Sequence, residues 1–301
     1  MKSNRKALFI FLTPAVVSFV AMFLYPVIVT IGMSLNQLDE LSSPMSTWQF
    51  VGLKNFQDLF ATRLFRISLR NIGGIWLIGG AFAVFFAMLF AVILTSGVKG
   101  KSFWRAIIYL PNVISGVAMG TMWVQYVYSS KFGLLKTVAE TLGLEKLAQV
   151  QWTAPQNIFL CMTIAFAFGV VGYFMLMFIA GIERIPVSYY EAAMLEGAGV
   201  GTRFFRITLP LLRDVIKSVI TLWTVTVVGF FIWSQMFTPF DLAEGTDTPM
   251  VYMYQLVFGS SLGTSSKNVG AGAAIGVVLS LIVVIVFTIV NICIKDSDLE
   301  F

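Results

Sequence analysis

Apolar residues along the chain fall into six long blocks separated by polar stretches: roughly Ala7–Leu35, Ile72–Leu94, Ala106–Tyr128, Ile158–Ile182, Leu211–Phe237 and Val269–Ile294. Each is close to the ~20 residues with which an α-helix crosses ~30 Å of hydrocarbon. Inside the blocks apolarity is continuous. A transmembrane barrel would alternate in ~10-residue segments, and hydrocarbon offers the backbone no water, so each block must close its own hydrogen bonds as a helix. The pattern predicts an all-α membrane protein of about six transmembrane helices.

The polar stretches orient them. Lys2, Arg5 and Lys6 precede the first block, and Lys99, Lys101 and Arg105 fill the short connection between the second and third with no acid among them. Such segments stay on the cytoplasmic side. An even number of spans returns Lys295 to that side, so both termini are expected to be cytoplasmic. Arg63, Arg66 and Arg70 fall in an outward loop that also holds Asp39, Glu40 and Asp58, and they read as an amphipathic interfacial segment. Tyr25 and Trp48 are expected towards the outer boundary. Gly272 and Gly276 form a GxxxG pair, which suits close helix approach within the chain or at a subunit interface.

One connection is longer and more strongly punctuated. Between the fourth and fifth blocks, 184–210 reads as two short helices. Pro186 suits a first turn, Tyr189–Glu196 carries good helix formers, and Gly197 and Gly199 stop it. A second helix from about Thr202 to Thr208 is expected to end at Pro210, which then opens the fifth block. Glu191, Glu196, Arg203 and Arg206 mix with Leu195, Phe204 and Phe205 on this segment. That surface suits protein docking or a hairpin lying on the membrane.

Composition narrows the functional classes. The 301 residues are 58% hydrophobic and 12% charged, with a mean hydropathy of +0.86; soluble domains carry ~25% charged residues. Histidine is absent, which removes His-based triads, HExxH metal sites and the usual near-neutral proton carrier. Cys161 and Cys293 both lie in apolar blocks without CxxC spacing, as inert packing residues would. No metal-ligand or catalytic set stands out. The basic amino end resembles a signal peptide, but its apolar run is too long and lacks a cleavage-type site. No GxxxxGK[ST] loop occurs, so this chain lacks that device for holding ATP phosphates. Asp214 and Lys217 are the chief charges inside the blocks. A stand-alone secondary transporter would carry repeats and intramembrane ion-binding groups, and an intramembrane enzyme would need a nucleophile and base at depth.

The 184–210 segment resembles the signature of the inner-membrane permeases of binding-protein-dependent ABC importers: EAA, three residues, Gly, nine residues, Ile, one residue, Leu-Pro. Glu191-Ala192-Ala193, Gly197, Ile207 and Leu209-Pro210 occupy every position without a gap. Val51-Gly52-Leu53-Lys54-Asn55-Phe56, Arg105-Ala106 with Leu110-Pro111, Ile185-Pro186, Tyr190 and Ile207 to Leu212 are similar to the carbohydrate-uptake branch. The branch's LTxGGP-like loop after the fifth span is replaced by Phe240 to Pro249, without the double glycine.

The resemblance implies a type I permease domain over 7–294, with coupling loop 183–210 and cytoplasmic tails 1–6 and 295–301. It implies no cofactor and no catalysis in this chain. The expected partners are a second permease subunit, two cytoplasmic ATP-binding subunits, an extracytoplasmic solute-binding protein, a sugar or oligosaccharide and the lipid bilayer, with no nucleic acid. A non-sugar solute, such as a polyol phosphate, or an acidic saccharide is the alternative within the same class. Glu191, Ala192, Ala193, Gly197, Ile207, Leu209 and Pro210 would couple to the ATPases. Phe168, Tyr173, Trp223, Thr226 and Phe230, by position relative to the signature, and Asn112 after Pro111 would line the solute path, with Tyr173, Trp223 and Phe230 facing one cavity.

Overall fold

The structure is a computed structural model, and it describes residues 5–238, 244–259 and 267–294, with side chains from 9 onward. The replacement loop 240–249 lies partly outside these residues, as do Lys2 and Lys295. Helix dominates, and the only sheet among the described residues is one two-stranded pair. The chain forms two compact units, one built from 1–66 and 249–281, the other from 67–248 and 282–301.

In the first unit, α1 (Phe9–Ser34) is long and apolar, and its most apolar stretch is not buried within the chain. It ends in a hairpin of β1 (Asn36–Gln37) and β2 (Gln49–Phe50), paired antiparallel with Asn36 opposite Phe50. The next helix, α2 (Lys54–Ala61), carries buried Asn55, whose amide donates to the carbonyls of Ser34 and Asn36 at 2.9 Å each. Asn55 of the Val51-to-Phe56 motif therefore closes the frayed end of α1, where helix carbonyls lack partners.

The second unit begins at residue 67, within α3 (Arg63–Thr95), a single 33-residue helix. Arg63, Arg66 and Arg70 thus lie on an amphipathic first segment of the same continuous helix that carries the second apolar block. Along α3, Ala83, Ala87 and Ala91 recur every four residues and are fully buried. Small side chains at that spacing let another helix approach closely. The partner is α7 (Ile158–Ile182), the most buried of the long apolar helices.

The third expected span is broken. It forms α4 (Lys101–Val113) and α5 (Gly116–Val127), bent by 99°. Ile114 is extended, and Ser115 restarts the chain as an N-cap, its Oγ accepting from Ala118 N–H at 3.3 Å. A short helix, α6 (Leu134–Thr141), follows.

After α7 come α8 (Val187–Leu195) and α9 (Val200–Arg203). The fifth expected span is also interrupted: α10 (Arg213–Val228) has 16 residues, about 24 Å at 1.5 Å per residue, before a break and α11 (Ile232–Phe237). The carbonyl of Phe230, released from the helix at the break, accepts from Thr248 Oγ1 at 2.8 Å. Among the described residues, four helices are long and apolar enough to cross a membrane, five if the bent pair is one span.

The chain then enters α12 (Pro249–Phe258), which the block pattern did not anticipate, and α13 (Val269–Cys293). A side chain at Gly272 would lie 2.5 Å from Val257 of α12. The GxxxG pair therefore serves close packing inside the chain at that position.

Candidate coupling loop and solute path

The loop after α7 is built by local backbone chemistry. Ile185 is buried and anchors it, and Pro186 precedes α8 with φ −56°. At the far end Gly197 has φ +77°, Gly197 N–H bonds the Met194 carbonyl at 3.0 Å, and Ala198 N–H bonds the Ala193 carbonyl at 2.9 Å. This paired bonding is the Schellman turn, whose left-handed position favours glycine. No atom lies within 4 Å of where a Gly197 side chain would begin, so its role is conformational.

α9 does not stop at Thr208 as expected. It runs on through a wide turn, Phe204–Thr208, into Leu209–Leu211, and Pro210 sits in the first turn after that change. There its missing N–H is tolerated, and the chain breaks two residues later at Leu212. Tyr190 of α8 and Thr208 of the wide turn are joined hydroxyl to hydroxyl at 3.0 Å. At the loop's root, Arg105 of α4 meets Glu183 beyond α7 at 2.6 Å; a pair this exposed contributes at most about 1 kcal/mol.

Glu191 and Ala192 are exposed, Ala193 and Ile207 half-buried. Glu191 makes no ion pair among the described residues. Around it Leu195 (89% exposed), Val187, Val200 and Phe205 present apolar side chains to the outside. Leu209 and Pro210 lie apart from that surface, in a cleft with Arg213 and Cys293.

The solute-path residues do not share one cavity. Trp223 is 2% exposed; its indole N–H donates to the Trp76 carbonyl at 2.8 Å, and Trp76 Nε1 donates to Thr224 Oγ1 at 2.8 Å. The ring lies over Gly79 and Gly80 of α3, where a side chain would collide with it. Trp223 is therefore a cross-strut between α3 and α10. Phe230, 1% exposed, packs edge-on against Phe166 at 4.8 Å.

The remaining candidates reach the surface of the unit. Phe168 lines an apolar groove of about 370 Å³ with Pro111, Phe82, Phe86 and Phe90, and its ring meets Trp123 at 5.5 Å. Neighbouring Asn112, at the end of α4, is half-buried and makes no side-chain hydrogen bond among the described residues. Tyr173 is exposed but, five residues from Phe168, points about 140° away around α7. Thr226 is exposed, with its hydroxyl donated to the Leu222 carbonyl at 2.8 Å.

Residues 83–296 match the model of the binding-protein-dependent transport system inner membrane component family. The chain belongs to that family. It is 27% identical over 248 residues to the diacetylchitobiose uptake system permease protein NgcF of Streptomyces coelicolor, covering 79% of this chain and 69% of the relative. It is 29% identical to the arabinooligosaccharides transport system permease protein AraP of Halalkalibacterium halodurans, over 94% of this chain and 86% of the relative. Its fold matches a chain of a bacterial ABC transporter involved in import of the acidic polysaccharide alginate, with a TM-score of 0.77 at 19% identity, covering 95% and 94% of the two chains.

The permease carries a buried polar cluster that the motifs did not signal. Asn71 of α3 donates through Nδ2 to the carbonyls of Glu244 and Asp247, both at 2.8 Å, and Ser234 of α11 bonds the Thr246 carbonyl. With Thr248 on Phe230, these bonds tie 244–248 over the break between α10 and α11. Asp247 is 2% exposed, and among the described residues neither carboxylate oxygen has a hydrogen-bond partner of ordinary geometry. Burial pushes its carboxyl up to about 7, and the Thr248 backbone amide offsets only part of that.

In the unfolded chain the same carboxyl ionises at about pH 4. Between those values only the folded chain holds the proton, so stability falls as pH rises towards 7 and levels off above it. The full loss is on the order of 4 kcal/mol. The thermal midpoint of the purified permease is expected to drop between pH 5 and pH 8, and Asp247→Asn to flatten that slope. An equally steep slope in the variant would show that another group carries it.

Proposed function

We propose that this chain is the membrane-spanning subunit of an ABC importer for an oligosaccharide. In this reading it pairs with a second permease, and an extracytoplasmic binding protein delivers the solute. Two separate cytoplasmic subunits hydrolyse the ATP, and both termini of this chain lie on their side of the membrane. The observation that carries the reading is the 183–210 loop: a glycine-turned pair of short helices with bare apolar side chains and a Glu191 that has no ion pair among the described residues, in a sequence with no GxxxxGK[ST] loop. Apolar residues ringed by charge suit a protein partner.

The geometry supplies a route for motion. A push on α8 is transmitted at one end through buried Ile185 to α7, and at the other through the Tyr190–Thr208 bond to the turn that leads into α10. Ala192 and Ala193 let a partner approach closely, Glu191 supplies a charged contact, and Gly197 holds the turn. The bare surface of α1 meets lipid or the second permease. Phe168, Asn112, Tyr173 and Thr226 are the positions available to a solute at the subunit boundary; Trp223 and Phe230 support them from behind. The saccharides in the relatives' names favour a saccharide here.

The test is uptake into proteoliposomes holding this chain with its second permease and ATP-binding subunits, using a panel of neutral oligosaccharides and one acidic oligosaccharide. Uptake is expected to require both ATP and the binding protein, and the purified chain alone to hydrolyse no nucleotide. Uptake by this chain alone under an ion gradient would overturn the reading.

A further inference from the structure

At the seat of the coupling loop lies a cavity of about 230 Å³ that the coupling residues do not explain. One wall is apolar, formed by Val92 near the end of α3, Ile182 at the end of α7, and Phe204. The other carries Arg203, Tyr190 and Thr208. Among the described residues no carboxylate lines it.

The polar wall is unbalanced towards donors. Arg203 Nε is shielded from solvent without an acceptor, and the side chain makes no ion pair among the described residues. A guanidinium keeps its charge at any physiological pH and presents its N–H groups as a rigid fork. Arg203 is half-buried, and its shielded Nε against an apolar wall carries a cost that an anion on the guanidinium offsets. Tyr190 and Thr208 share one hydrogen bond between two hydroxyls, which consumes one of their two protons and leaves the other to donate. The hydroxyls of Thr95 and Ser96 at the rim are already donated to α3 carbonyls. The cavity thus offers a cationic fork and a spare hydroxyl proton beside an apolar surface, with no carboxylate among its described lining residues.

We propose that this cavity binds a phosphate-bearing anion, its oxygens on the Arg203 guanidinium and on the free hydroxyl of the Tyr190–Thr208 pair. Arg guanidinium pairs with phosphate in two parallel bonds. The apolar wall suits the glycerol and acyl stem of an anionic phospholipid, while the polar wall alone would hold free phosphate. Bound there, the anion fastens α9 to the ends of α3 and α7, the base on which the coupling loop moves. That consequence rests on the function proposed above; the binding itself does not.

The full chain, purified in mild detergent, would be titrated with phosphatidylglycerol, phosphatidylcholine and inorganic phosphate, with binding read by native mass spectrometry and by thermal shift. Phosphatidylglycerol is expected to bind more tightly than phosphatidylcholine. Arg203→Gln is expected to weaken it about ten- to a hundredfold, Tyr190→Phe to weaken it less, and the exposed control Arg206→Gln to leave it unchanged. Arg203-dependent binding of phosphatidylglycerol alone identifies the lipid headgroup, and that of inorganic phosphate identifies a soluble anion. Binding that is equal in Arg203→Gln, or equal for phosphatidylcholine, overturns the proposal, provided Arg203→Gln melts like the parent chain. If it does not, Arg203→Lys serves instead: it keeps the charge without the fork and is expected to bind several-fold more weakly. Loss of these effects with coupling-loop docking intact would sink this inference alone, and the reverse pattern would sink only the proposed function.

Discussion

Gly172→Val is expected to abolish accumulation of the folded permease. A side-chain carbon at Gly172 of α7 would overlap the Ile108 carbonyl oxygen and lie 2.6 Å from Tyr109 Cα, both in the backbone of α4. No rotamer change relieves backbone against backbone, so the two helices must separate along their contact. Overpacking of a close-packed interior costs about 1–3 kcal/mol, and more where neither side can yield; this site belongs at or above the upper end. Gly73→Ala on α3, with nothing within 4 Å of the new carbon, should be neutral or slightly stabilising, because alanine favours a helix over glycine by about 1 kcal/mol. Membrane abundance and the thermal midpoint in detergent check both. A Gly172→Val chain that accumulates and melts like the parent would contradict the packing.

Gly197→Val is expected to spare the fold and remove transport. A left-handed conformation costs an ordinary residue about 1–2 kcal/mol and a β-branched one more. Because no neighbour blocks the new atoms, the chain relieves that strain by reopening the turn between α8 and α9. Uptake should fall at least tenfold, about what 1.4 kcal/mol buys in an equilibrium, with normal membrane abundance. Asparagine tolerates the left-handed region, so Gly197→Asn should keep most uptake. Equal loss in both variants would mean that bulk at the partner surface matters, rather than backbone shape.

What could be read in advance follows the range of the forces involved. The helices α1, α3, α7 and α13 were legible because continuous apolarity over 20 or more residues leaves the backbone no other solution in hydrocarbon. The Gly197 turn was legible because glycine at a helix end is a local signal. The bends were not. The 99° break at Ile114–Ser115 depends on a side-chain cap, and the break at Gly229–Phe231 is completed by Thr248, a distant acceptor-seeking hydroxyl. Pro210 misled because a wide turn just before it moved the hydrogen-bond register.

Side-chain facing was the least legible feature. A helix that is apolar all round carries no periodic mark of which face turns inward, so Trp223 and Phe230 read as readily for a solute surface as for the core they occupy. Small residues at Gly79 and Gly80 were the available clue, since a bare stretch of helix invites a large ring. The Asn71–Asp247 cluster joins residues 176 apart, and nothing in the local pattern of either segment marks the pairing.

The central claim is that the loop surface around Leu195 receives an ATP-binding subunit. Cys293 is exposed and Cys161 buried, so Cys293→Ser leaves no exposed thiol among the described residues, and Leu195→Cys then introduces one at the tip of α8. With the unmodified ATP-binding subunit co-expressed, a short thiol-reactive photo-cross-linker attached at position 195 is expected to give, on illumination, a covalent product of the two subunits. The same label at Leu77→Cys, on the exposed side of α3, is expected to give none. Cross-linking to the ATP-binding subunit from position 77 but not from 195 would contradict the account.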